Sequence, residues 1–232
     1  MDVLVAAVVQ AVRLLLSGDA EVWQVTLLSL RVSLAATAIS LLAGVPLGAW
    51  LALARFPGRR LLLAAVHTGM GMPPVVAGLV LTVLLWRTGP LGSLGLLYTP
   101  TAIVLAQVVL ALPIVTGLSA AAIQQLNPLL RLQILALGAT RTQYLWLLAR
   151  EARLPLLAAA MAGFGAVISE VGAAMMVGGN IQGQTRVLTT AIVLETSKGN
   201  FDLALALGLL LLALVYAVNL GLTWVQQRGR PL

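Results

Sequence analysis

The sequence predicts an all-α integral membrane protein, and three observations carry that prediction. Apolar residues make up 60% of the 232-residue chain and charged residues 9%, too few charges to cover a water-soluble domain of this size. Five stretches are apolar over the roughly 20 residues that a helix needs to cross a ~30 Å hydrocarbon core. The net charge of +7 is distributed along the chain as a topology signal, which argues against a nucleic-acid partner.

The five stretches are residues 25–54, 61–86, 101–126, 154–177 and 201–225, and together they form one domain over residues 1–232. Residues 1–22 are shorter in their apolar run and are interrupted by Gln10 and Arg13. They read as an N-terminal amphipathic helix at the interface, or as a sixth span. Asp2 stands where a signal peptide would carry a basic flank, and no small-residue cleavage site follows. Residues 188–194 are apolar but too short to span, which suits a re-entrant or surface helix.

Orientation follows from the basic residues. With the N-terminus outside, the inner segments hold Arg55, Arg59, Arg60, Arg131, Arg141, Arg150, Arg153, Arg228 and Arg230. The outer segments hold only Arg13, Arg87, Arg186 and Lys198. The positive-inside bias therefore predicts N-out, C-in. It also places the basic island at residues 127–155 in the cytoplasm, as the main surface a buried chain offers to another protein.

Two predicted spans are interrupted. Gly69-Met70-Gly71-Met72-Pro73-Pro74 places adjacent prolines in the second, removing two backbone donors ~18 Å from its start. Broken backbone at that depth must face protein or a water-filled cavity, so the reading is a packing kink or a hinge along a pathway. Ile168-Ser169-Glu170-Val171-Gly172 places a carboxyl in the fourth span. There it is either a buried group bonded to a neighbouring helix, with Arg31 as the candidate partner, or part of a pathway. Gly178-Gly179-Asn180-Ile181-Gln182-Gly183-Gln184-Thr185-Arg186 is a donor-rich loop running into Thr189 and Thr190. The amides at the following helix start could receive an anion, or the loop simply feeds a short helix. His67 reads as a buried polar contact, Gly44 and Gly48 as a close helix contact, and Met175 and Met176 as packing residues.

The chain contains no cysteine, one histidine and seven scattered acids, which excludes disulfides and thiolate chemistry and argues against a metal cluster. No Gly-x-x-x-x-Gly-Lys-Ser/Thr phosphate loop occurs, and Lys198 is the only lysine. Uphill transport would then need an ion gradient or a separate ATPase. A gradient-driven carrier would show several intramembrane acids or an inverted repeat, and a membrane-embedded enzyme would need a second catalytic group beside His67 or Glu170. A separate ATPase needs a docking element, and the island provides a helical segment with Gly138 to allow a turn.

These residues resemble the membrane subunit of binding-protein-dependent ABC importers. In that family a cytoplasmic loop carries a Glu-Ala-Ala, three residues, Gly pattern and ends in an Ile-x-Leu-Pro-like step. Leu137-Gly138-Ala139-Thr140-Arg141 is similar to the glycine core, and Leu154-Pro155 to the terminal step. Leu132, Gln133 and Ile134 replace Glu-Ala-Ala, and Pro155 lies seventeen residues after Gly138 where thirteen is usual. The four extra residues add about one helical turn.

Ile168–Ala173, Arg55-Phe56-Pro57-Gly58-Arg59 and Met72-Pro73-Pro74-Val75-Val76 are similar to molybdate permeases. Glu170 to Ile181, Gln184 to Ile192 and Glu195 to Asn200 look like tungstate-type permeases. The resemblance implies a type I ABC importer transmembrane domain with five spanning helices, or six, and a cytoplasmic coupling loop at residues 127–153. It implies a multi-pass protein of a prokaryotic cytoplasmic membrane that imports an oxyanion, with tungstate favoured over molybdate or sulfate. The expected assembly is a homodimer with two ABC ATPase subunits and an extracytoplasmic oxyanion-binding protein, surrounded by lipid and without nucleic acid. On this reading the chain is not catalytic alone and binds no cofactor or metal, while ATP and Mg are used by the ATPase. Ala136, Leu137, Gly138, Ala139, Thr140 and Arg141 are the expected ATPase-coupling residues. Met72, Pro73, Pro74, Ser169, Glu170, Gly172, Asn180, Thr185, Arg186 and Thr189 are the expected pathway and gate.

Overall fold

The computed structural model describes residues 8–10, 13 and 19–227. Among these the regular structure is helical: α1 (Ala20–Leu53), α2 (Arg59–Met70), α3 (Pro74–Leu85), α4 (Pro100–Gln124), α5 (Pro128–Ala136), α6 (Arg141–Glu151), α7 (Arg153–Ile168), α8 (Gly172–Gly178), α9 (Leu188–Ser197) and α10 (Phe201–Gln227), with a short 3₁₀ turn at Gly92–Leu94. The expected helix over residues 1–22 lies largely outside the described residues, and its last residues, Ala20 to Val22, belong to α1.

The helices α1 and α4 start where the sequence caps them. The Asp19 carboxylate accepts from the amides of Glu21 and Val22, both at 3.0 Å, which satisfies two of the free donors at the start of α1. Thr99 caps α4, with Pro100 in the first turn where a missing N–H costs nothing. The helix α1 ends before Arg55-Phe56-Pro57-Gly58, and Gly58 takes a φ of +87° to reverse the chain into α2. Three helices, α1, α4 and α10, are each long and apolar enough to cross a membrane, and two bent pairs bring the total to five.

The second stretch is interrupted at Pro73-Pro74, as its prolines lead one to expect: α2 ends at Met70, α3 starts at Pro74 with Pro73 in extended backbone, and the two meet at 101°. The fourth stretch ends as a helix at Ile168 and restarts at Gly172. Glu170 therefore sits in a break, where residues 154–177 read as continuous helix.

The core lies where α1, α3, α4 and α8 meet, with Val32, Ala77, Ile103, Ala106, Ala173 and Val177 buried together. Small residues set the spacing. A Cβ on Gly48 would lie 2.6 Å from the Thr116 carbonyl oxygen, and one on Gly44 2.9 Å from Val115, so α1 and α4 touch nearly backbone to backbone there. This is the close contact anticipated for Gly44 and Gly48. At the side, α10 packs on α9 and the start of α1 through Val22, Val25, Leu188, Ala206, Leu207 and Leu210.

Candidate functional site

The two breaks face one cavity of about 550 Å³. It is lined by Gly69 to Val75 on one side, Ala166 and Ser169 to Gly172 on the other, and Leu110 and Ile114 of α4. Glycines allow this meeting. A Cβ on Gly78 of α3 would fall 2.8 Å from the Ala173 Cα, and one on Gly172 2.9 Å from the Val75 side chain. On the α2 side, Gly69 abuts Pro113 and Gly117 abuts Met70, each closer than an added Cβ would allow. Met72, Pro73, Pro74, Ser169, Glu170 and Gly172, widely separated in sequence, thus share one wall.

Glu170 is buried, and its Oε1 accepts from the Ala173 amide at 2.7 Å. The carboxylate closes the first turn of α8 and offsets its free donors. Arg31, the expected partner, is exposed on α1; Glu170 meets backbone instead. Its Oε2 has no hydrogen-bond partner. Thr189 of α9 donates to the Glu170 carbonyl at 2.8 Å, and Ser169 donates to the Gly165 carbonyl at 2.7 Å. Among the described residues no Lys, Arg or His lines the cavity.

Gln107 was not anticipated. It is buried on α4, and its Nε2 donates to the Val167 carbonyl at 3.0 Å and to the Ser33 hydroxyl at 3.4 Å. It ties the last turn of α7 to α1 beside the break. The signal was a lone amide within an otherwise apolar helix.

The outer-loop residues lie elsewhere. Thr185 is buried; its hydroxyl donates to the Gly178 carbonyl and accepts from the Ile181 amide at 3.0 Å. Asn180 takes a φ of +50° and donates to the Thr190 carbonyl at 3.4 Å. Arg186 pairs with Glu21 at 2.9 Å, and Gln24 donates to the Gly183 carbonyl at 2.9 Å. Two of the amides at the start of α9 already have acceptors: Leu188 N–H donates to Ser29 at 2.7 Å and Val187 N–H to Thr190 at 3.1 Å. Beyond α9, Glu195 holds Asn200 at 2.8 Å and Lys198 at 2.7 Å. The Asn200 hydrogen bond first, then Lys198, keep the Glu195 carboxyl below its ordinary pKa. His67, expected to be buried, is exposed on α2.

The basic island folds as a helical hairpin. Asn127 caps α5 through the Leu129 amide, and Thr140 and Gln143 form a reciprocal capping box on α6. Between them Gly138 takes a φ of +74°, with nothing within 4 Å of where a Cβ would be. Around it Leu137 is 87% exposed, and Ala136, Thr140 and Arg141 are exposed while Ala139 is half-buried. Arg131 does not stand free on this surface, since its guanidinium donates to the Ile123 carbonyl at the end of α4. Arg150 lies over the Trp146 ring at 5.4 Å. The helix α6 runs into α7 through a 71° bend, and α7 ends at Ile168, just before the Glu170 break.

Comparison with known proteins agrees with this architecture. Residues 44–231 match the family described as binding-protein-dependent transport system inner membrane component. A probable anion ABC transporter permease of Haloferax volcanii is 44% identical over 84% of this chain and 86% of its own length. The tungstate uptake system permease of Peptoclostridium acidaminophilum is 40% identical over 90% of this chain and 92% of its own. The molybdenum transport system permease of Escherichia coli K12 is 29% identical over 76% of this chain and 82% of its own. Membership in this family implies a multi-pass inner-membrane transport subunit that works with an ATPase and a binding protein. The chain belongs to the family of inner-membrane components of binding-protein-dependent transport systems.

Proposed function

We propose that this chain is the permease subunit of an ATP-driven oxyanion importer and that its cargo is tungstate. The observation that carries the cargo is the 40% identity to a tungstate uptake permease across 90% of this chain. The cavity at the two breaks is compatible with that cargo. It offers small residues, backbone, the Ser169 hydroxyl and the Glu170 carboxyl, which is held by the Ala173 amide, and no Lys, Arg or His among the described residues, so nothing there would trap a dianion. Selection then falls to the external binding protein.

The working unit is a homodimer with its N-termini outside, two ATPase subunits below and a binding protein above. Met72, Pro73, Pro74, Ser169, Glu170 and Gly172 form the gate, and Asn180, Thr185, Arg186 and Thr189 hold the outer frame to it. Closure of the ATPase pair moves residues 136–141. The sixteen residues of α7, ~24 Å long at 1.5 Å per residue, carry that motion to Glu170. The test is uptake of labelled tungstate by vesicles containing this chain, its ATPase and its binding protein. Unlabelled molybdate and sulfate serve as competitors. Saturable ATP-dependent tungstate uptake resisting both competitors is expected. Molybdate competing equally would make the carrier a molybdate importer, and uptake without the ATPase would make it a gradient-driven carrier.

A further inference from the structure

We propose that the protein holds an anionic phospholipid between the first helix and the hairpin. A cavity of about 770 Å³ separates the end of α1 from α6, walled by Val45, Trp50, Leu53 and Leu145, with Arg141 and Tyr144 among its lining. Its walls are mostly apolar, and it lies outside the gate. Arg141 is exposed and forms no hydrogen bond or ion pair among the described residues.

The neighbouring turn makes the same end of α1 basic. Trp50 stacks on Phe56 with ring centroids 4.7 Å apart, and the Arg59 Nε–H donates to the Leu51 carbonyl at 2.7 Å. The segment holding Arg55, Arg59 and Arg60 is thereby folded back on the helix that walls the cavity. Ile123, near the end of α4, completes the apolar surface. An apolar well beneath an unpaired guanidinium, where apolar helices end in basic turns, matches a molecule with an acyl chain and an anionic headgroup. Lipid seated there separates α1 from α6 and sets how far the hairpin can swing.

The test uses the intact transporter, this chain assembled with its ATPase subunits, purified in mild detergent. Retained lipid is counted by native mass spectrometry after adding phosphatidylglycerol and phosphatidylcholine in equal amounts. Phosphatidylglycerol is expected to be retained in preference. Ala49→Trp and Val45→Phe, which fill the cavity, should each cut its retention. Arg141→Gln should lower the preference for phosphatidylglycerol about fivefold, the effect of one arginine beside an anionic headgroup, without changing phosphatidylcholine retention. Equal retention of both lipids, or full retention in the filled-cavity variants, overturns the proposal. So does loss of the ATPase, instead of lipid, from those variants, which would assign the cavity to the ATPase. If a variant does not assemble, the delipidated wild-type complex decides: a thermal stabilisation by phosphatidylglycerol no larger than by phosphatidylcholine also overturns it.

Discussion

Two of the glycine-bearing turns that carry basic residues, those at Gly178–Arg186 and at Gly138, are built in opposite ways. The outer loop from Gly178 to Arg186 is tied to the fold by Thr185, Asn180, Gln24 and the Arg186–Glu21 pair, with Ser29 fixing the helix that follows. The inner turn at Gly138 is bare: its glycine has open space around it and Leu137 is 87% exposed. A loop tied by that many side-chain contacts keeps its shape and acts as a frame. A turn capped at both flanks but unpacked at its tip keeps its shape while leaving its surface for a partner. The difference assigns rigidity to the loop ahead of α9 and an open contact surface to the Gly138 turn.

The comparison can be broken most severely at Gly138. Gly138→Leu places a side chain at positive φ, straining the turn by about 1–2 kcal/mol, and puts bulk on the docking tip. ATP-dependent uptake should fall at least about tenfold, the change expected from ~1.4 kcal/mol of lost coupling, while membrane insertion is unchanged. Normal uptake in that variant would remove the hairpin from the mechanism.

Thr185→Val tests the frame. It leaves the buried Gly178 carbonyl and the Ile181 amide without partners, at about 1–3 kcal/mol each, and should lower the melting temperature of the purified permease. An unchanged melting temperature would mean that the outer loop is not stapled through Thr185.

The Glu195 cluster sharpens the same point through pH. Its carboxyl is held below the ordinary value by Asn200 and Lys198. The charged form therefore contributes stability that is fully present above the unfolded pKa and is lost as pH falls through the lowered folded value. Asn200→Ala should flatten the acid end of a stability-against-pH curve, and an identical curve would deny the contribution. The smallest effect belongs to Glu21→Gln. It removes a pair whose glutamate side chain is 50% exposed, so about 0–1 kcal/mol is expected, shrinking in high salt. A larger, salt-independent loss would show that the frame depends on that pair.

The sequence made the breaks legible but not their form. Pro73-Pro74 had to interrupt a helix, since two successive donors are missing, yet nothing local specifies a 101° bend. In the folded chain α3 lies against α8 through close contacts at Gly78 and Gly172, between distant segments that local sequence does not pair. The break at Ser169–Val171 was hidden because apolar residues continue on both sides and no proline marks it. Glu170 was visible as an intramembrane acid, but its partner, the Ala173 amide three residues on, is a backbone group that side-chain pairing with Arg31 would not suggest. Arg131 looked like free surface charge and instead binds the end of α4, because the short turn from α4 into α5 brings the two together. The turn at Gly138 was readable from the glycine between two helical patterns, and its positive φ explains why that residue stands there.

The central claim is that the hairpin at Gly138 drives the gate at Glu170, and the absence of cysteine from the sequence allows a direct measurement. A single Ser169→Cys on the exposed wall of the cavity would be labelled with a water-soluble maleimide in the reconstituted importer, with and without trapped ATP. The account predicts that ATP changes the labelling rate in the wild-type background and leaves it unchanged when Gly138→Leu is added. An equal response to ATP in both backgrounds would contradict it.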